Sequence, residues 1–428
     1  MKKRLAFHFI LILAIAFVNY SSVAQKNAEL LSFGVTGSIE KTPDEKNPLR
    51  LLKNRQIQLF LLTLSKSPLT LNKALSNTKS QGIEIKNLVD AGLITVRNDT
   101  CFLNFTLLNE RDLSLLHQVS NRYAKSLTAL ILRDSVFYDS LLKNEKYPPH
   151  LQKDALFILI GCFALDWDGL TITDKMGYRT AASENLYGDR YLLWGKVNSS
   201  KNSIRGLYWG SHNDYLNDVV FTSFGDHYTN PRYALPDMKW KYKIDYNNNH
   251  FPTEMKSSFQ DMANVYFDSA FYNAGKIMFC LYSNPLSQQE ITEQFSFTGL
   301  SQALKFFTSV RYVRIDSSTN KYHLAIPVFT ESNGQMISAL RLHIKHKLQA
   351  WLNSNYASIK SDLKTLSCMQ HGIDYKIAFT EVWHFLFGYT NKFLCEAGFF
   401  VNPESPERFH KGYMPVIWHS EVYKEVNF

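Results

Sequence analysis

The sequence predicts a mainly α protein with small antiparallel β-sheets, an α+β class. Three observations predict it. Long stretches such as 114–132 and 337–352 space their apolar residues as a helix does. Short alternating runs bounded by turn residues read as strands, for example CFLNFTLL at 101–108. One order of helices and hairpin then returns later in the chain at a nearly constant distance. Length adds a bound: 428 residues suit two or three domains, and 45% hydrophobic with 14% aromatic residues excludes a chain disordered by composition.

The first segment predicts export. MKKR is a basic start, and LAFHFILILAIAFV (5–18) is an apolar run of signal length. Ser22-Val23-Ala24 supplies small residues before a cleavage expected ahead of Gln25. The run is short for a membrane span of roughly 20 residues. No Cys follows it, so a lipid anchor is not expected, and no later stretch reads as long and apolar enough to span. The expectation is a bacterial signal peptide at 1–24, a periplasmic or secreted protein, and no transmembrane anchor after cleavage.

Formal charge is +9, and losing Lys2, Lys3 and Arg4 with the signal leaves +6. No dense Lys/Arg run accompanies that excess, so it reads as an ordinary soluble surface. The five cysteines, Cys101, Cys162, Cys280, Cys368 and Cys395, form no C-x-x-C pair and sit mostly in apolar contexts. They read as buried hydrophobes, with no disulfide named by spacing.

Residues 25–46 are polar, broken by Gly34, Gly37 and Pro43, and read as a linker. Asn47-Pro48 reads as a helix start, with Asn as N-cap and Pro in the first turn. SPLTLNKAL (67–75) is a turn and short helix, and IEIKNLVDAGLI (83–94) is a second helix. TVRNDTCFLNFTLL (95–108) is a hairpin turning at Asn98-Asp99, with Leu103, Phe105 and Leu107 alternating. The order returns at 273–329: two helices around Asn284-Pro285-Leu286, a third with a strand at 300–315, a turn at 316–320 and a returning strand at 321–329. Pro68-Leu69 meets Pro285-Leu286 at a shift of 217, and Leu103, Phe105 and Leu107 meet Leu324, Ile326 and Val328 at 221. Beyond the hairpins, 155–178 parallels 378–400, with Gly177 on Gly398 at the same 221. A shift this constant argues for internal duplication.

Three helices followed by a two-stranded wing resemble a winged helix-turn-helix, over about 60 residues in each copy. The resemblance implies that small fold twice. The predicted organisation is a signal peptide at 1–24, a linker at 25–46, a winged-helix-like repeat at 47–110, a helical extension with terminal strand at 111–197, a β/loop insert at 198–268, a second repeat at 269–330 and a second extension at 331–428. A DNA-reading winged helix places cations on its third helix. IEIKNLVDAG and LSQALKFFTS carry one Lys each and no Arg. Nucleic acid is therefore not the expected partner, and DNA binding is kept as a third reading should the N-terminus be no signal.

The insert holds the residues best suited to chemistry. YLLWGKV (191–197), IRGLYWGSH (204–212) and DVVFTSFGDH (218–227) read as three strands, with a turn at 199–202. Alternation puts Leu207, Trp209 and Ser211 on one face and Tyr208, Gly210 and His212 on the other. His212, Asp214, Asp226 and His227 have the residue types of a metal site but no established ligand spacing. With Arg232 they form the candidate catalytic set of a metal-assisted hydrolase, the alternative function. Antiparallel pairing of the last two strands would separate the two His-Asp clusters, which then brace strand ends and the turn NPRYALPD.

Other polar clusters read as structure. Asp166-Trp167-Asp168-Gly169 suits acid-base work, and more readily a helix stop followed by a new N-cap. Glu381 and His384 share a helix face as a polar pair in an aromatic core. His410 and His419 stand alone. No nucleophile elbow, phosphate loop, dinucleotide fingerprint or EF-hand loop is present, and nothing names a cofactor. The leading expectation is an exported binding or scaffold protein of the cell envelope. Tyr208, Trp209, Tyr215, Tyr228 and Tyr233 of the insert would contact an unknown protein or envelope component, since aromatics dominate binding hot spots.

Overall fold

A computed structural model describes residues 30–37, 39, 41–180, 184–185, 187–198, 204, 206–226, 272–405 and 412–427. Among the described residues the protein is α+β: 55% helical, with small antiparallel or mixed sheets of three or four strands, none closed. The chain divides into two compact units. One comprises residues up to 115 with 181–203 and 365–378, and the other comprises 116–180, 204–364 and 379–428.

In the first unit, helices Arg55–Leu64, Leu71–Lys79 and Ile85–Asp90 pack beside a sheet of Leu69–Thr70, Thr100–Leu103 and Ile94–Arg97. The local chemistry explains the boundaries. Asn47 caps the short helix Pro48–Leu51, and Asn54 caps Arg55–Leu64 by accepting from Gln56 N at 2.8 Å. Asn98 and Asp99 both take positive φ, 48° and 53°, as a two-residue hairpin turn requires. Ile57, Phe60, Leu61 and Leu64 bury one helical stripe against Leu88, Leu93, Leu103 and Phe105.

Two readings are corrected here. The stretch taken as a linker contains a strand, Leu31–Gly37, antiparallel to Tyr191–Val197. Buried Gln58 fixes its entry, accepting from Leu30 N and Leu31 N at 3.2 Å and donating to Leu52 O at 2.7 Å. Tyr191–Val197 therefore does not join the insert strands. Its neighbours are Leu31–Gly37 and, in parallel, Thr106–Leu108. Gly34 is needed in this sheet because a Cβ there would sit 2.2 Å from the Trp194 ring.

The second unit has a four-stranded sheet in the order Val328–Phe329, Tyr413–His419, Val219–Asp226, Tyr208–Leu216. A second sheet joins Val313–Asp316, Lys321–Leu324 and Leu286–Ser287. The helical part holds the long helix Gly334–Asp362, most of Glu110–Leu132 and Tyr375–Glu396, Ser135–Asn144, and a continuous helix from Pro149 to Lys175. Within the last, Phe157–Trp167 is π-helical, and Phe157 to Asp166 are all buried. This helix is long and apolar enough to cross a membrane by length and composition, contrary to the sequence reading. Its most apolar window is 83% buried inside the fold, as in a core helix. It also runs through Asp166-Trp167-Asp168-Gly169, so the expected helix stop is absent there. Gly169 is a packing residue, since a Cβ would meet Trp383 at 2.7 Å, and the chain turns instead at Gly177, φ +70°.

The two sheets that hold the terminal strands share one plan. In each, the terminal strand lies antiparallel to a strand that precedes the helices and parallel to a short strand that follows the hairpin. Tyr191–Val197 and Tyr413–His419 stand 222 residues apart (413 less 191). The same offset relates the facing helices of the second unit. A Cβ on Gly161 would meet Asn391, and one on Gly169 would meet Trp383. Adding 222 to 161 gives 383, and adding it to 169 gives 391. Helices Pro149–Lys175 and Tyr375–Glu396 thus meet through reciprocal contacts, the pattern of a two-fold interface.

Candidate functional site

The residues singled out in the insert separate by placement. Tyr208 and Trp209 are buried, each 4% exposed. The Tyr208 ring packs edge-on to Phe157, and Trp209 lies against Phe385 and His384. They are core residues and not contact residues, which corrects the expectation of an exposed aromatic surface. The cause is a β-bulge: the register with Val219–Asp226 shifts between Tyr208 and Ser211, and Gly210 takes φ +89°. The bulge breaks the alternation that would have placed successive side chains on opposite faces. Tyr215 is 61% exposed and meets Tyr423, hydroxyl to hydroxyl at 3.0 Å.

His212 and Asp214 lie on the same strand, with backbone partners Ser223 and Phe221. Asp226 pairs with Tyr208 at the far end of the hairpin. Three residues separate Asp226 from the partner of His212, about 10 Å of strand. His227, Tyr228, Arg232 and Tyr233 lie outside the described residues. Among the described residues no group of three His, Cys, Asp or Glu side chains is placed to hold a metal ion. The five cysteines are free. Burial pushes the thiols of Cys101, Cys162, Cys280, Cys368 and Cys395 up, away from the thiolate.

Asp166 and Asp168 do not act as a pair. Two residues apart on a helix, they project to different sides. Asp166 is buried, and desolvation lifts its carboxyl to about 6 despite the opposing charge of His384. His384 Nδ1 stands 3.3 Å from Glu381 Oε1, a charge contact without hydrogen-bond alignment. Burial pulls the imidazole down, but Glu381 and Asp166 more than offset it, and the net shift is up. Trp383 donates to Leu165 O at 2.9 Å, and Asn391 donates to Tyr208 O at 2.9 Å. These polar groups therefore sit among hydrogen-bonded core contacts that join the π-helical segment to Tyr375–Glu396 and to the insert strand.

Asp168 belongs to a different feature. Arg341 grips it with two parallel bonds, Nε to Oδ2 and Nη2 to Oδ1, both 2.7 Å. This fork geometry fixes both side chains, and the guanidinium also lies 5.3 Å from the centre of the Phe163 ring. The pair lies in a cleft of about 480 Å³ between helices Pro149–Lys175 and Gly334–Asp362. One wall is Trp167, Asp168, Thr171, Ile172 and Lys175, and the other is Ser338, Arg341, Leu342, Lys345 and Gln349. Both sets recur at three- and four-residue steps, so each is one helix face. Trp167 directs its N–H to Ser211 Oγ at 2.8 Å, which anchors the indole at one end of the cleft.

The volume falls in the range of small-molecule sites, about 300–1,000 Å³. Among the described residues the only carboxylate lining it, Asp168, is held by a guanidinium, so the walls present donors and apolar surface. Arg341, Lys345 and Lys175 were not singled out in the sequence. Arg341, Lys345 and Gln349 at successive helical steps on a stretch read as a helix were the available signal. The facing wall, about 170 residues away in the chain, was not legible from pattern. The fold and this cleft define an α+β protein with a helix-walled cleft. Comparison with known families, with curated proteins and with solved structures finds no match.

Proposed function

We propose that this chain is an exported binding protein of the cell envelope, built from two winged-helix-like halves, that holds its ligand in the cleft between Pro149–Lys175 and Gly334–Asp362. The observation that carries the reading is the cleft itself: a preformed concavity of ligand size with a locked Asp168–Arg341 floor. The winged-helix likeness is supported by the shared element order. In both stretches a short strand precedes the second helix and pairs with the last strand of the wing. The aromatic contact belongs on this reading to Trp167 in the cleft and Tyr215 on the hairpin.

Two measurements test it. N-terminal sequencing of protein released by osmotic shock gives Gln25 as the first residue; recovery from the cytosol with residues 1–24 retained overturns export. Thermal-shift screening of the purified protein against solubilised envelope fractions finds a stabilising fraction. Leu342→Trp, at a cleft position 54% exposed, abolishes that stabilisation without changing the unliganded Tm. Stabilisation that survives the substitution places the ligand elsewhere.

A further inference from the structure

Resting on the cleft reading, we infer that the ligand is a small anion carrying a planar apolar group, its anionic end seated between Lys175, Lys345 and Arg341. Among the described residues the lining holds one carboxylate against three cations. The carboxylate is already neutralised by Arg341 at 2.7 Å. Neither Lys175 nor Lys345 has a hydrogen-bond or ion-pair partner among the described residues, although the neighbouring Lys347 on the same helix is paired with Asp134 at 2.5 Å. The two lysines come from opposite walls. Without a partner among the described residues, their ammonium groups can converge on a ligand, and a cleft with an excess of positive charge concentrates counter-ions.

The rest of the lining favours an anion with an apolar body. Thr171, Ser338 and Gln349 offer hydrogen bonds beside the lysines. Ile172 and Leu342 supply aliphatic wall. Trp167, whose N–H is already engaged by Ser211, is left to present an apolar ring. The shared chemistry is a phosphate or carboxylate on an aromatic or otherwise flat body.

The test compares 1-naphthyl phosphate with 1-naphthol by fluorescence titration on the purified protein. The phosphate ester binds more tightly, and its affinity falls with added salt. The double substitution Lys175→Gln and Lys345→Gln weakens the ester roughly tenfold, the sum of two exposed charge contacts, and leaves naphthol unchanged. Both lysines are without a partner among the described residues, so circular dichroism and Tm of the variant match the parent. Equal binding of the two probes, with no effect of the substitutions, overturns the anion preference while leaving the cleft as a binding site. Binding of neither probe overturns both.

Discussion

The terminal-strand sheets of the two units differ at one edge. The sheet of Leu31–Gly37, Tyr191–Val197 and Thr106–Leu108 ends after three strands, and much of its surface is half-exposed. The sheet with Tyr413–His419 has three corresponding strands in the same senses plus the hairpin strand Tyr208–Leu216, and its terminal strand is buried almost throughout. The extra strand does more than lengthen the sheet. Its bulge turns Tyr208 and Trp209 into the helical core, where Gly388 makes room for the indole: a Cβ there would meet Trp209 at 2.7 Å. Gly388 stands 222 residues after Asp166. Positions at the same offset are thus a buried carboxyl in one helix and a notch for tryptophan in the other. One plan thus appears in two sheets, and the hairpin strand makes one of them different.

The largest effect follows from that difference. Trp209→Ala empties the notch and costs about 3–5 kcal/mol of stability, as deletion of a buried aromatic does. Urea denaturation measures it. A loss below about 1 kcal/mol would mean that Trp209 is a surface residue and that the hairpin contributes little to the core.

Asp166 is the other side of the comparison. Its folded-state carboxyl, at about 6, is above the ordinary carboxylate value. The native state therefore binds more protons than the unfolded chain between about pH 4 and 6. Stability is fully present below that window and falls as pH rises through it. The raised His384 adds in the same direction, its contribution being lost as pH climbs through its folded value. Asp166→Asn flattens the dependence between pH 4 and 6 and leaves the variant more stable above it, by about 3 kcal/mol for a two-unit shift. Denaturation at a series of pH values checks this. An unchanged slope would assign the dependence to other groups.

The reciprocal helix contacts give a matched pair of tests. Gly161→Ala and Gly169→Ala each force a methyl into packed side chains, at 2.9 Å from Asn391 and 2.7 Å from Trp383. Overpacking of this kind costs about 1–3 kcal/mol, and the two-fold relation predicts similar costs for the two. A silent substitution at one position would show that the contacts are not equivalent.

What the sequence made legible follows the range of the interactions. Local signals could be read: the Asn47 cap, the Asn98-Asp99 turn, and the match of Gly177 to Gly398, which take φ +70° and +69°. Pairings between distant segments could not. Leu31–Gly37 carries two glycines and little hydrophobic alternation, and becomes a strand because Tyr191–Val197 lies beside it. Alternation was the right rule for Tyr208–Leu216, but the bulge at Gly210 suspends it at the two residues that mattered. For the cleft, each wall was readable as a helix, but Asp168 and Arg341 are 173 residues apart. No spacing within either segment announces that they meet.

The smallest effect is expected at Tyr215, which among the described aromatics of the insert is the one facing outward. It is 61% exposed, and its hydroxyl contact to Tyr423 is the main order imposed on it. Tyr215→Ser removes one partly exposed hydrogen bond and an edge-on ring contact, so the stability change stays below about 1 kcal/mol. Set beside Trp209→Ala, this gives two aromatics of one strand with costs several-fold apart, one internal and one external. If Tyr215→Ser also weakens binding of the stabilising envelope fraction while Tm holds, the hairpin that distinguishes the two sheets extends the binding surface beyond the cleft. If binding is untouched, the hairpin's contribution is confined to the core that Trp209 helps to build.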